Sequence, residues 1–369
     1  MSSSPAALWP AAIDADGHIV ESDAELLAYL PEPYRGRADL LSMPFFPSLD
    51  GFHRPARRLK DGRDHVLPRP SAQDWTAYLD EANIALSVLF PTAGLGFGLV
   101  TDAEWATALA RGYNDWLADR FLRHDRRLKG MAMLPLQSIP DAVAELERTI
   151  QHDVGFVGGV LPAAGLPEAF GDQSYWPVYE AAQALDVPLA VHSAPAQGLG
   201  LERLRKLIEV RTLTHPFGQY VQITSMLFNG VFDAFPRLRV AYCEAGAGWV
   251  PYMLERLDNE FRNRRPQAPA LAVPPSEHIR GGRIFFHAEL AERGLAWAVQ
   301  ETRDDIFFCA SDYPHEPKDE FPEGLEALEA RTDLTPRAKC NLVWNTPLRL
   351  YGLDEAEVLA GARRAATRV

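Results

Sequence analysis

Four apolar runs in this chain end in a side chain that can hold a metal or move a proton. Asp16-Gly17-His18 follows AAIDA, His192 closes PLAVH, Glu244 follows VAYC, and Asp312 lies within FFCASDYPH. Asp16 and His18 are two residues apart, so on an extended backbone they point the same way and together can grip one ion. A neutral imidazole such as His192, with its second nitrogen held by a neighbour, is a common ligand for zinc, iron or manganese. Asp312 follows Phe307, Phe308, Cys309, Ala310 and Ser311. A carboxylate at the mouth of so apolar a strand needs a partner, because an unpaired buried charge is costly. A metal or a protonated substrate meets that need, and the same carboxylate can handle the proton of a metal-bound water. The plainer alternatives are an Asp16 turn cap beside a surface histidine, a satisfied core His192 and an Asp312 helix cap. Placement at strand ends favours the chemical roles.

Other residues carry weaker signals. His215, in THPFGQY, lies before an apolar helix and fits a ligand, an acid–base group or a structural hydrogen bond equally well. Glu244 sits in CEAGAGW, where glycines allow close backbone approach. It can orient His215 or another imidazole, act as acid or base, or touch the metal. Glu21, three after His18, is a second layer behind the ligands or a metal bridge. His287 suits a supporting or packing role, and His315 an accessory substrate contact. Arg35, Arg54, Arg57 and Arg58 offer bidentate forks for a substrate carboxylate, although each on its own reads as solvated surface. Phe45, Phe46, Phe52, Phe90 and Trp176 are candidates to wall a flat ring. Cys243 and Cys309 lie on strands and read as buried and inert.

The elements that must position these groups follow a rhythm. Apolar strand candidates fall at 11–15, 84–90, 130–135, 155–161, 188–192, 238–243, 283–287 and 306–309. Helical patterns separate most of them, at 72–82, 102–125, 141–152, 176–185, 200–211, 216–235, 249–263 and 290–302, and further helices close the chain. Apolar strands flanked by amphipathic helices are the parallel α/β signature. Eight such units predict a closed (β/α)8 TIM barrel over 11–365 as a single domain. An open doubly wound sheet is the rival, but no Gly-x-Gly-x-x-Gly follows the first strand. Residues 22–80 are irregular and rich in Pro, Gly and Arg, yet Met43, Phe45, Phe46, Leu49 and Phe52 are too apolar for a solvated loop. A long insertion after strand 1 that serves as a lid is expected.

Bulk properties narrow the partners. The 369 residues are 47% hydrophobic with a formal net charge of -13, which argues against nucleic acid and against a basic membrane patch. Three scattered cysteines make no disulfide framework. No signal peptide and no long apolar span are visible, so a cytoplasmic protein is expected. Apolar helices after strands five and six, including MLFNGVF, are candidates for a homo-oligomer contact.

The chain resembles the amidohydrolase superfamily, specifically amidohydrolase family 2, the relatives of aminocarboxymuconate semialdehyde decarboxylase and resorcylate-type decarboxylases. The segments that carry the resemblance are DADGHIVE at 14–21, LKGMAMLPLQ at 128–137 and YWPVYEAAQALDVPLAVH at 175–192. NGVFDAFPRLRVAYCEAGAGWVPYMLERLD at 229–258 and FFCASDYPHEP at 307–317 add to it. The resemblance implies a distorted (β/α)8 TIM barrel and one divalent metal per subunit, held by Asp16, His18, His192 and Asp312, with zinc expected and manganese or iron as alternatives. Two departures stand out. Asp16 replaces the usual histidine or glutamate, and the sixth strand ends in Glu244-Ala245-Gly246, leaving His215 as the nearest stand-in for the family's catalytic histidine. The expected activity is nonoxidative decarboxylation of an aromatic or unsaturated carboxylic acid, with Asp312, His215 and Glu244 as the catalytic set. The alternative is hydrolysis of a C–N, C–O or C–C bond by a metal-activated water. A metal-binding scaffold without activity is a third. The expected substrate is small, cyclic and carboxylate-bearing.

Overall fold

The computed structural model describes residues 8–48, 59–152, 154–192 and 197–366. Eight strands run in chain order: β1 Ala12–His18, β2 Ile84–Phe90, β3 Leu128–Met133, β4 Phe156–Pro162, β5 Leu189–His192, β6 Val240–Tyr242, β7 Ile284–His287 and β8 Phe307–Phe308. Each pairs in parallel with the next, giving one sheet of order β1 to β8. The loop after β8 returns to β1: Asp312 N–H donates to Asp16 O at 3.1 Å and His18 N–H donates to Tyr313 O at 2.7 Å. The result is a nearly closed, distorted (β/α)8 barrel, as the alternating sequence pattern and the family resemblance together predict.

Strand β2, IALSVLF, is buried along its whole length, as a strand covered on both faces must be. Ile13, Ala15, Val88, Phe90, Met131, Ala190, Ala241, Cys243 and Phe308 fill the barrel interior, while Leu89, Leu161, Val191 and Phe307 pack outward against the helices. The helix Ala72–Glu81 starts at a capping box, in which Ser71 Oγ accepts from Asp74 N–H and the Asp74 carboxylate accepts from Ser71 N–H.

A bulge in β1 decides where the chemistry points. Ile13 pairs with Leu86 and Asp14 with Ser87, but Gly17 pairs with Leu89 and His18 with Phe90. Three residues of β1 thus span two of β2. Side chains alternate along a strand, so one extra residue reverses the phase. Below the bulge Ile13 and Ala15 face the interior; above it Asp16 and His18 do. Without that residue both ligand candidates would face the helices. Gly17 is where the bulge presses closest on its surroundings, because a Cβ there would lie 2.6 Å from the Trp75 ring and 2.7 Å from Ser87 Oγ.

Two expectations change. His215 does not precede a helix: one helix, Leu207–Phe228, runs through it with Pro216 inside. Pro216 removes only one helix N–H, whose acceptor would have been the carbonyl of the exposed Thr212. The segment MLFNGVF is not an outer contact surface, since Met226, Leu227, Val231 and Phe232 are buried in the core of their own chain.

Within the insertion, Phe45 packs on Trp105 and Phe46 on Phe97. His65 Nε2 lies 3.0 Å from Pro314 O, beside the β8 exit. Leu49, Phe52, Arg54, Arg57 and Arg58 lie outside the described residues. Arg35 is exposed and donates to Leu30 O at 3.1 Å. Among the described residues no helix is long and apolar enough to cross a membrane.

Candidate metal centre

At the C-terminal mouth of the barrel, Asp16 and His18 of β1 converge with His192 of β5, and Asp312 of the loop after β8 joins them through His18. Asp16 Oδ2 is 3.2 Å from His192 Nε2, Asp16 Oδ1 is 3.5 Å from His18 Nε2, and His18 Nε2 is 3.3 Å from Asp312 Oδ1. Donors about 2.1 Å from a shared ion sit roughly 3.0–3.4 Å apart, so these spacings suit ligands of one metal. Asp16, His18 and His192 are at most 1% exposed. No N–H or O–H group among the described residues donates to either Asp16 oxygen, and His18 Nε2 has no hydrogen-bond partner there. A buried carboxylate in that state is costly, and a cation removes the cost.

The imidazole of His18 is set in a ligand-ready form. Pro91 O accepts from His18 Nδ1–H at 2.8 Å, and a carbonyl can only accept, so Nε2 keeps its lone pair. Burial holds His18 well below the usual imidazole range, with the neighbouring His315 and His192 adding to the effect.

Beneath the ligands lies Asp14, fully buried and not singled out by sequence. It accepts from Ser87 Oγ–H at 2.6 Å, Ser311 N–H at 2.7 Å and Ser311 Oγ–H at 2.8 Å. This ties β1, β2 and the β8 exit together one residue before Asp312. Tyr351 O–H secures the same bulge by donating to Ala15 O at 2.6 Å. The available signal for Asp14 was an acid at a regular position in an apolar strand. Both Asp312 and Glu244 take left-handed backbone angles, φ 49° and 55°. Non-glycine residues held this way at strand ends often mark functional positions.

Around the four donors stands a second group. Glu244 Oε2 is 3.8 Å from His192 Nδ1 and 3.7 Å from His215 Nε2, while Glu244 Oε1 is 4.0 Å from His315 Nδ1. Burial pushes the Glu244 carboxyl up, but His192, His315 and His215 outweigh it and hold the group well below the usual carboxylate range. His315 Nδ1 is 2.8 Å from Asp312 Oδ1, and its ring stacks on His18 at 4.0 Å. For Asp312, burial and then the Glu244 charge push the carboxyl up. Gln219, buried one helical turn beyond His215, donates to Val191 O at 3.1 Å and Cys243 O at 2.7 Å, fixing the strand ends that carry His192 and Glu244.

The remaining candidates fall away from this centre. Glu21 neither bridges nor touches the ligands, because its carboxylate accepts from Thr92, Ala93 and Gly94 N–H groups. His287 is buried with Nδ1 4.0 Å from Glu289. Of the aromatic set, Phe90 alone is seen beside the centre, 5.2 Å from the His192 ring, whereas Trp176 packs on Phe235. Cys243 and Cys309 are buried, and burial raises both thiols.

His215 gives a pH prediction. Burial lowers it to about 4, against the opposing pull of Glu244. An unfolded chain takes up that proton near the ordinary value of about 6.5, so stability is full above pH 6.5 and falls as pH drops towards 4. Urea denaturation of the metal-free protein should show a loss on the order of 1–3 kcal/mol across that window. His215→Asn should flatten it; an unchanged slope in that variant contradicts the assignment.

A family profile described as Amidohydrolase matches residues 13–353. A gamma-resorcylate decarboxylase from a Polaromonas species is 26% identical over 268 residues, covering 69% of this chain and 79% of the relative. A Polaromonas dihydroxybenzoic acid decarboxylase, solved with manganese and the inhibitor 2-nitroresorcinol, superposes with TM-score 0.66 at 21% identity over 95% of this chain and 99% of the other. A 5-carboxyvanillate decarboxylase of Novosphingobium aromaticivorans, with manganese and 4-hydroxy-3-methoxy-5-nitrobenzoic acid, gives TM-score 0.69 at 18% identity, over 93% and 96%. Manganese in both solved structures overturns the expectation of zinc. The physical reason is that two carboxylates and two imidazoles, with no thiolate, carry no preference for zinc.

Proposed function

The chain belongs to the amidohydrolase family, and from that premise we propose that it is a manganese-dependent nonoxidative decarboxylase of a small aromatic or unsaturated carboxylic acid. The observation that carries this is the buried cluster of Asp16, His18 and His192, which Asp312 joins through His18 Nε2 at 3.3 Å. Curated relatives that match 69% and 76% of the chain are a gamma-resorcylate decarboxylase and a 2-amino-3-carboxymuconate-6-semialdehyde decarboxylase.

In this reading those four residues are the metal ligands. A divalent ion bound by these side chains would supply positive charge for the substrate carboxylate and for the negative charge that develops. Asp312 carries the proton. It takes that proton from His315 Nδ1, which lies 2.8 Å from Asp312 Oδ1. As the carbon–carboxylate bond breaks, its electron pair stays on the ring carbon, Asp312 delivers a proton there, and carbon dioxide departs. Glu244, held ionised, is no proton donor; it orients His215 and balances the surrounding imidazoles. His215 is neutral near pH 7, since its value is about 4, and offers a hydrogen bond rather than a charge. Phe90, beside His18 and His192, gives a flat ring an apolar face.

We further place residues 11–365 in one domain with an insertion at 22–80, whose described part brings His65 Nε2 to 3.0 Å from Pro314 O at the β8 exit. A cytoplasmic homo-oligomer fits the helix Leu207–Phe228, whose outer face exposes Ile208, Leu213, Phe217 and Val221.

The test is product analysis with hydroxylated benzoates and manganese in oxygen-18 water. Carbon dioxide release with no solvent oxygen in the organic product is expected. Solvent oxygen in that product would instead identify a hydrolase.

A further inference from the structure

A chain of hydrogen bonds reaches the centre from the far side of β2. Glu21 leaves β1 just past His18 and is 6% exposed. Its oxygens accept from Thr92 N–H at 3.2 Å and from Ala93 and Gly94 N–H at 2.9 Å. Three amides on one carboxylate fix the loop after β2 tightly. Gly94 lets the loop come that close, because a Cβ there would lie 2.3 Å from Met133 Cε and 3.1 Å from Glu21 Oε1. The clamp places the Thr92 hydroxyl 3.0 Å from His315 Nε2. His315 Nδ1 in turn lies 2.8 Å from Asp312 Oδ1, and the imidazole is laid flat on His18, 26° from parallel.

The donor and acceptor inventory makes this chain directional at one end. The Asp312 carboxylate accepts, so the proton between the two belongs to His315 Nδ1. A threonine hydroxyl can donate to Nε2 or accept from it, so Thr92 satisfies the ring whether or not Nε2 carries a proton. The backbone of Asp312 is held by Asp16 O and Glu316 N–H, and its side chain also faces Glu244. It sits on a left-handed backbone position in a loop, and Oδ1 faces His18 Nε2 at 3.3 Å. The oxygen turned towards the ion position is therefore the one His315 holds.

We propose that His315, held by Thr92 and the Glu21 clamp, is a positioning residue that fixes Asp312 Oδ1 for the metal. This rests on the assignment of Asp312 as a ligand. Groups that orient a ligand typically change metal affinity by about 10–100-fold when removed.

The experiment is titration of the metal-free protein with Mn2+, followed by electron paramagnetic resonance of the free ion, so no substrate is required. His315→Phe should weaken Mn2+ binding about 10–100-fold. His315→Asn, which keeps a donor near the Nδ1 position, should recover most of that loss and covers the case in which the Phe variant fails to fold. Thr92→Val should cost about 2–10-fold, and Thr92→Ser, which restores the hydroxyl, should return to within about twofold of the parent. Unchanged or tighter Mn2+ binding in His315→Phe overturns the proposal, as does a Thr92→Ser variant as weak as Thr92→Val. Asp312→Asn is the control: if it weakens binding while the His315 and Thr92 variants do not, the chain is wrong and the ligand assignment survives. If Asp312→Asn leaves binding unchanged as well, both fail.

Discussion

Asp312→Asn should lower kcat by about 10²–10⁴-fold, the range for loss of a positioned acid–base group. The substitution keeps the shape of the side chain and removes its charge and its transferable proton. Asp312 is joined to the rest of the centre through His315 Nδ1 at 2.8 Å and lies 3.3 Å from His18 Nε2. Its backbone N–H donates to Asp16 O, an interaction the substitution leaves intact. The fold should therefore survive, and the loss should appear in kcat at saturating Mn2+ rather than in thermal stability. A variant that keeps more than about a tenth of the parent kcat under those conditions would remove Asp312 from the proton-transfer step.

The second large effect is on the metal itself. Asp16→Ala or His18→Ala should reduce bound manganese from about one ion per subunit to a trace after dialysis, measured by elemental analysis, with activity falling in parallel. These two residues are the most deeply committed of the set: both Asp16 oxygens and His18 Nε2 are buried with no N–H or O–H donor among the described residues. Full metal content in either variant would mean that the ion sits elsewhere. Without metal, Asp16→Ala removes a poorly compensated buried carboxylate, so it should not destabilise the metal-free fold and can gain stability. His18→Ala should cost more in the metal-free fold, because it strips Pro91 O of its donor and opens a cavity against Phe90.

The barrel was legible in the sequence because its strands are short apolar runs, and apolar runs between amphipathic helices have few other uses. Asp16, His18, His192, Glu244 and Asp312 were legible because each breaks such a run at its end. The bulge that turns Asp16 and His18 inward was not. A one-residue phase shift leaves no composition signal of its own, and Gly17 explains itself only once Trp75 and Ser87 are seen against it. Asp14 was hidden for the same reason, its partners Ser87 and Ser311 being 73 and 297 residues away. The helical pattern of the sequence is split at 211–216, which sets His215 before a helix, whereas a single helix, Leu207–Phe228, carries it. His315 and Thr92 lie in loops, where spacing carries no geometry, and their contact appears only through the fold. Metal identity could not be read from the donors, since carboxylates and imidazoles serve zinc and manganese alike.

The central claim is that one divalent ion sits among Asp16, His18, His192 and Asp312. Crystals grown with Mn2+ and measured for manganese anomalous scattering test it most directly. A single anomalous peak within about 2.0–2.3 Å of an oxygen or nitrogen from each of those four residues is the predicted result. A peak held instead by Glu244 and His315, with Asp16 and His192 outside bonding distance, would contradict it.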